Sequence, residues 1–158
     1  MGRLLAFLLG IAGAVISSQG PGFTLQYMQN LQGRLDELAP MVQQYDADLT
    51  GYGYTRAQAL AECDNAERLL TALCDGYERT IVRYELLSAH MAELEAASAY
   101  VRPLLLARGR MNDIARSTYS QFQPAAPATL DGGIYAGGGF AFFWGVSTFL
   151  FGLFGGRR

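Results

Sequence analysis

Two stretches of this chain carry no charge, one at each end, and they limit what it can fold into more than anything between them. From Leu4 to Ile16 the residues read LLAFLLGIAGAVI, and no charge follows until Arg34. A run of that length falls short of the ~20 residues a helix needs to cross a bilayer. Ser17, Ser18, Gln19, Gly20, Pro21, Gly22 and Phe23 extend it without adding charge. Gly137 to Gly156 reads GGGFAFFWGVSTFLFGLFGG and stops at Arg157 and Arg158. That is a full span by length, and a soluble core helix is rarely apolar on every face. A signal peptide is the rival reading of the first stretch. No A-x-A-like cleavage site follows it, so a retained span is expected.

The expected fold is therefore an all-α membrane protein, with two transmembrane helices bracketing an extramembrane helical hairpin or bundle. Residues 1–23 form the first transmembrane helix, 24–122 the extramembrane domain, 123–136 a linker and 137–156 the second transmembrane helix. Arg3 marks one outer flank and Arg157 and Arg158 the other, whereas the inner flanks, 17–30 and 121–136, hold no Arg and a single Asp. The positive-inside rule then puts both termini in the cytoplasm and the middle in the periplasm. All basic residues are Arg, with no Lys, and the wealth of Arg, Ala and Gly looks like a GC-rich bacterial genome. The expected location is the bacterial inner (cytoplasmic) membrane.

Small residues recur along both spans. Ala6, Gly10, Gly13, Ser17 and Gly20 follow one another at steps of four and three, as do Gly138, Ala141, Gly145, Thr148, Gly152 and Gly155. Each set forms one stripe of a helix, narrow enough for another backbone to approach. In lipid, helices pack through such stripes because burial of apolar surface gives no drive. The spacing fits pairing within one chain and between chains alike. The bulky residues Phe140, Phe143, Trp144, Phe151 and Phe154 are expected to face lipid or a partner.

In the middle, Met28, Leu31, Leu35, Leu38, Val42, Tyr45 and Leu49 repeat at helical spacing. Pro40 should kink or restart that helix, since it removes a backbone donor and crowds the preceding turn. Thr55 followed by Gln58 reads as a capping box that starts the next helix near Arg56. Ala59, Cys63, Ala66, Leu70 and Leu73 continue the pattern, which resumes after Asp75-Gly76 and runs from Ile81 to Val101. Pro103 breaks it, and one shorter helix follows from Leu104 to about Tyr119. Gln123 to Thr129 is Pro- and Ala-rich, a linker.

Chemistry is hard to find in this sequence. His90 is the only histidine, and metal sites need three or four converging donors; a structural or surface role is expected, with no metal and no cofactor. Cys63 and Cys74 lie eleven residues apart. On one continuous helix that is about 16 Å, beyond disulfide reach, so they are expected as buried small hydrophobes, with interchain bridges open in an oxidising compartment. No phosphate-binding loop, nucleophile elbow or H-E-x-x-H motif occurs. From Thr24 to Gly133 nine Arg face fourteen Asp and Glu, a net charge of −5. A domain that acidic repels phosphate backbones, so nucleic acid is not an expected partner.

The stretch from Phe23 to Glu37, with Gln26, Tyr27, Gly33, Leu35, Asp36 and Glu37, resembles the signature of a proteobacterial family of small membrane proteins catalogued as a domain of unknown function. That family often carries Arg where this chain has Asn30. The resemblance implies a membrane location and no established activity. Taken together, the residues point to a non-enzymatic structural protein in the lipid bilayer, self-assembling into a homo-oligomer through its small-residue stripes and helical domain. The alternative is an accessory subunit held by other chains of a larger respiratory or photosynthetic membrane complex.

Overall fold

A computed structural model describes residues 2–63, 67–124 and 128–155, with side chains as far as residue 153. The described residues form six helices and no strand: α1 (Gly2–Gly51), α2 (Arg56–Cys63), α3 (Arg68–Ala96), α4 (Arg102–Gly109), α5 (Asn112–Gln121) and α6 (Leu130–Gly155). The all-α class expected from sequence is the one observed, and α1 and α6 are long and apolar enough to cross a membrane.

α1 departs from the expected boundaries. It runs without interruption through Pro21 and Pro40, so neither proline ends it and residue 23 is not a helix end. Each proline forfeits one backbone hydrogen bond, at a typical cost of ~3 kcal/mol. Buried side chains on both sides of each proline offset that: Ser18 and Thr24 around Pro21, Leu35 and Val42 around Pro40. In the first case Thr24 Oγ1 also donates to the Gly20 carbonyl at 2.9 Å.

The chain divides into two compact units. The first is residues 1–28 with 97–158; the second is residues 29–96. In the second unit, the later part of α1 buries Leu31, Leu35 and Val42 on one stripe, and α3 buries Ile81, Leu87, His90, Met91 and Leu94 on another. Tyr45 and Tyr77 meet edge to face with ring centroids 4.7 Å apart. Residues three and four apart share a helix face, so these stripes are the amphipathic pattern of the sequence made physical.

α2 joins this pair at its amino end. Thr55 and Gln58 form the expected capping box: Thr55 N–H donates to Gln58 Oε1 at 2.9 Å, and Gln58 N–H donates to Thr55 Oγ1 at 3.3 Å. Arg56 grips Asp46 with two parallel bonds, Nε to Oδ1 at 3.1 Å and Nη2 to Oδ2 at 2.6 Å, and reaches Glu85 at 3.0 Å. One guanidinium thus ties α1, α2 and α3 together. Paired parallel bonds of this kind are the geometrically specific form of an ion pair.

The two cysteines correct the sequence reading. Cys63 and Cys74 are joined in a disulfide, their Cα atoms 5.9 Å apart. The expectation assumed one helix through both, but α2 ends at Cys63 and α3 begins only at Arg68. Periodicity carried across the boundary between α2 and α3 misjudged the separation. Ala66, expected on the helix stripe, lies outside the described residues. Asp75-Gly76 does not interrupt α3, whose helix ends at Ala96 and not at Val101. Pro103 sits in the first turn of α4, where its missing N–H costs nothing. The single helix expected over 104–119 is two, parted at Arg110 and Met111.

Candidate functional site

In the first unit α1 and α6 form an antiparallel pair. Gly2 lies beside Phe151, Gly10 beside Phe140 and Trp144, Gly13 beside Phe143, Gly20 beside Tyr135. The numbers rise along one helix as they fall along the other, so both ends of the described chain sit at the same end of the pair. Phe7 and Phe140 add an edge-to-face contact, centroids 5.7 Å apart.

The approach is close because glycine permits it. A methyl group on Gly10 would fall 2.9 Å from Phe140 Cε2, and one on Gly13 would fall 2.7 Å from Phe143 Cβ. On the facing helix a methyl on Gly139 would meet Ser17 Oγ and come within 2.6 Å of the Gly13 carbonyl oxygen. Real Cβ atoms do not tolerate such distances. Of the five small residues expected as a packing stripe on α1, Ala6, Gly10 and Gly13 are buried and Ser17 and Gly20 half-buried, all toward α6 or the unit's interior.

α6 turns a different face to α1 than its spacing suggests. Gly138, Ala141, Gly145, Thr148 and Gly152 are exposed, and Gly138, Gly145 and Gly152 face open space. The buried positions are Gly132, Gly139 and Ser147, a register shifted by one residue at the glycine run 137–139. Two bulky residues expected to face lipid or a partner, Phe140 and Phe143, lie instead over the glycines of α1. Trp144 packs its Cβ on Gly10 while the residue stays 47% exposed. Phe151 flanks Gly2 and is partly exposed, and the Phe154 side chain lies outside the described residues. Aromatic rings filling glycine notches bury more dispersion contact than two small stripes could. That is the physical reason for the register.

The signature stretch has a structural role here. Phe23 packs edge to face on Phe122, centroids 5.5 Å apart, and Gln26 Nε2 donates to the Gln123 carbonyl at 3.4 Å. Tyr27 is fully buried and its hydroxyl accepts the Met111 N–H at 3.0 Å. Met111 is the residue preceding α5, and it has no side-chain cap of its own. Tyr27 thereby satisfies a backbone donor that would otherwise be left without a partner at a helix start. Spacing alone gives no sign of this, because the partner is 84 residues away.

His90 is buried in the second unit with Nδ1 3.8 Å from Glu93 Oε2. Among the described residues, no three His, Cys, Asp or Glu side chains converge as they would around a metal ion. The groups that stand out are therefore faces: a filled glycine seam inside the first unit and an open one on the outside of α6. No curated protein and no solved structure matches the chain. A family model matches it over residues 1–158, and the chain belongs to that family, DUF2937, described as a protein of unknown function.

Proposed function

We propose that this chain is a non-enzymatic structural protein of the bacterial inner membrane that self-assembles into a homo-oligomer through the outer face of α6. The observation that carries the reading is the open seam of Gly138, Ala141, Gly145, Thr148 and Gly152. It lies on a helix apolar enough to span a membrane, and its glycines meet nothing within contact range. Such a seam lets a second backbone come close, which is how helices associate in lipid. A second copy of α6 offers the same seam, and twofold pairing uses one patch twice.

Topology follows the same reading. α1 and α6 cross the bilayer with both termini in the cytoplasm, as the flanking arginines suggest. The Cys63–Cys74 disulfide supports a periplasmic middle domain, because such bonds persist in oxidising compartments and are rare in the cytosol.

The test is the native mass of the full chain in mild detergent, compared with Gly145→Leu. The wild type is expected as one species at a multiple of 17.2 kDa. A side chain at position 145 starts in open space, its Cβ meeting nothing inside the chain, so the variant should fold normally and fall to a single-chain mass. An unchanged mass would refute the seam as an interface. Co-purification of other subunits at fixed ratio would make the chain an accessory subunit of a larger respiratory or photosynthetic complex instead.

A further inference from the structure

A cavity of about 270 Å³ lies within the first unit, walled by α1 from Ser18 to Met28, by Arg102 at the start of α4, by Phe122 and Gln123, and by Thr129 to Gly132. It falls below the ~300–1,000 Å³ typical of sites for drug-sized ligands, so it suits a small group and not a whole lipid or cofactor. Two opposite charges line it, Arg102 and Asp131, both half-buried. Three amides line it as well: Gln19, Gln26 and Gln123. Gln26 donates one Nε2 hydrogen to the Gln123 carbonyl, and its Oε1 is an acceptor.

The position of the cavity narrows the ligand. On α1 it begins at Ser18, toward the end of the uncharged run, and on α6 it ends at Gly132, just ahead of the apolar run that begins at Gly137. Because the helices are antiparallel, those two boundaries lie at the same level. If α1 and α6 cross the bilayer, as the proposed function holds and on which this inference rests, that level is where headgroups lie. Leu25, exposed and part of the same wall, offers an apolar surface to whatever chain leaves the cavity.

We infer that this cavity binds a phosphoethanolamine group, supplied by the headgroup of a phosphatidylethanolamine lipid. Arg102 holds the phosphate, since a guanidinium presents up to five N–H donors and keeps its charge at any working pH. Its Nε donates to the Ala97 carbonyl at 3.0 Å, which fixes the plane of the group. The ligand's ammonium donates to the Asp131 carboxylate and the Gln26 Oε1. A site with one positive and one negative side chain matches a ligand with one of each. Asp131 takes hydrogen bonds from the Thr129 side chain and from the backbone of Asp131 and Gly132; an anionic headgroup such as phosphatidylglycerol would gain Arg102 but bring its phosphate near that carboxylate with no ammonium between the two negative charges. Phosphatidylcholine carries the same charges, yet its trimethylammonium has no N–H to give.

The experiment is native mass spectrometry of the full-length protein in mild detergent. It is titrated with phosphatidylethanolamine, phosphatidylcholine and phosphatidylglycerol of equal acyl chains, and separately with soluble glycerophosphoethanolamine. One-to-one retention of phosphatidylethanolamine about tenfold above the other two lipids is expected, the scale of one hydrogen bond to a charged group. Asp131→Ala, which removes the acceptor together with the charge, should erase most of the preference over phosphatidylcholine while leaving the phosphate interaction. Arg102→Gln should lower retention of all three, and Arg102→Lys should restore part of it, which separates lost charge from a misfolded site. Equal retention of all lipids, or a preference untouched by Asp131→Ala, overturns the inference while a detergent-dependent protein upholds the membrane reading. A protein that stays soluble without detergent overturns both. Glycerophosphoethanolamine binding as tightly as the lipid would uphold the chemistry of the site and assign its source to a soluble ester.

Discussion

Reduction of the Cys63–Cys74 bond, or Cys63→Ser with Cys74→Ser, tests how α2 is held. α2 has eight residues and buries none of them. Helices shorter than about 12–15 residues are marginal on their own, so α2 depends on what ties its ends. At its start are the Thr55 box and the Arg56 ion pairs; at its end is the disulfide. The bridge closes a loop of eleven residues in sequence separation. By the chain-entropy relation a loop of that size restricts the open state by about 3 kcal/mol. Amide hydrogen exchange at Leu60 to Cys63 reads this directly, since opening there need not unfold the rest of the unit. Removing the bond should speed exchange about a hundredfold at those amides. Amides near Leu87 and Leu94, in the buried stripe of α3, should change little. A change below about threefold at Leu60 to Cys63 would show that the capping box and Arg56 hold α2 unaided, and the reasoning would fail.

Two further outcomes follow from particular contacts. Gly139→Ala should destabilise the α1–α6 pair by about 1–3 kcal/mol through overpacking, because its methyl would crowd the Gly13 carbonyl; Gly133→Ala, in open space on the same helix and outside the outer seam, should cost nothing, and thermal unfolding in detergent compares the two. The Tyr77 hydroxyl is buried without a hydrogen-bond partner, so Tyr77→Phe should raise the denaturation midpoint, by about 1 kcal/mol in free energy. Burial, with Asp46 adding to it, raises the Tyr77 phenol above its ordinary value of 10.0, against the opposing pull of Arg56. The folded state therefore holds that proton more tightly than the unfolded one. The resulting stability is full below pH 10 and is lost as the pH rises through the folded value. Denaturant titrations of Tyr77→Phe should lack that alkaline loss.

Part of this fold was legible because it rests on local rules. Absence of charge over a span's length found α1 and α6, and the Thr55–Gln58 spacing found the start of α2. Pro103 marked a boundary as a helix start, where its missing N–H fits the first turn of α4, while α3 had already ended at Ala96. The remainder depends on partners distant in sequence. Pro40 reads locally as a stop, yet burial of Leu35 and Val42 carries the helix through it. The disulfide hid behind a helical period that continues numerically where the helix does not. The glycine run 137–139 fits a small-residue stripe in more than one register, and only the rings of Phe140 and Phe143 seated on α1 decide among them. Tyr27 could not be assigned a task without Met111.

The antiparallel seam between α1 and α6 also has a consequence in time. Gly10 and Gly13 are made more than a hundred residues ahead of the rings and backbone that fill their notches, which come from Gly139 to Trp144. At roughly 5–20 residues per second, the intervening chain takes on the order of 6–25 s to emerge. If α1 spans a membrane, as proposed, it waits in lipid throughout that interval with its notches unfilled, open to any passing helix with a suitable ring.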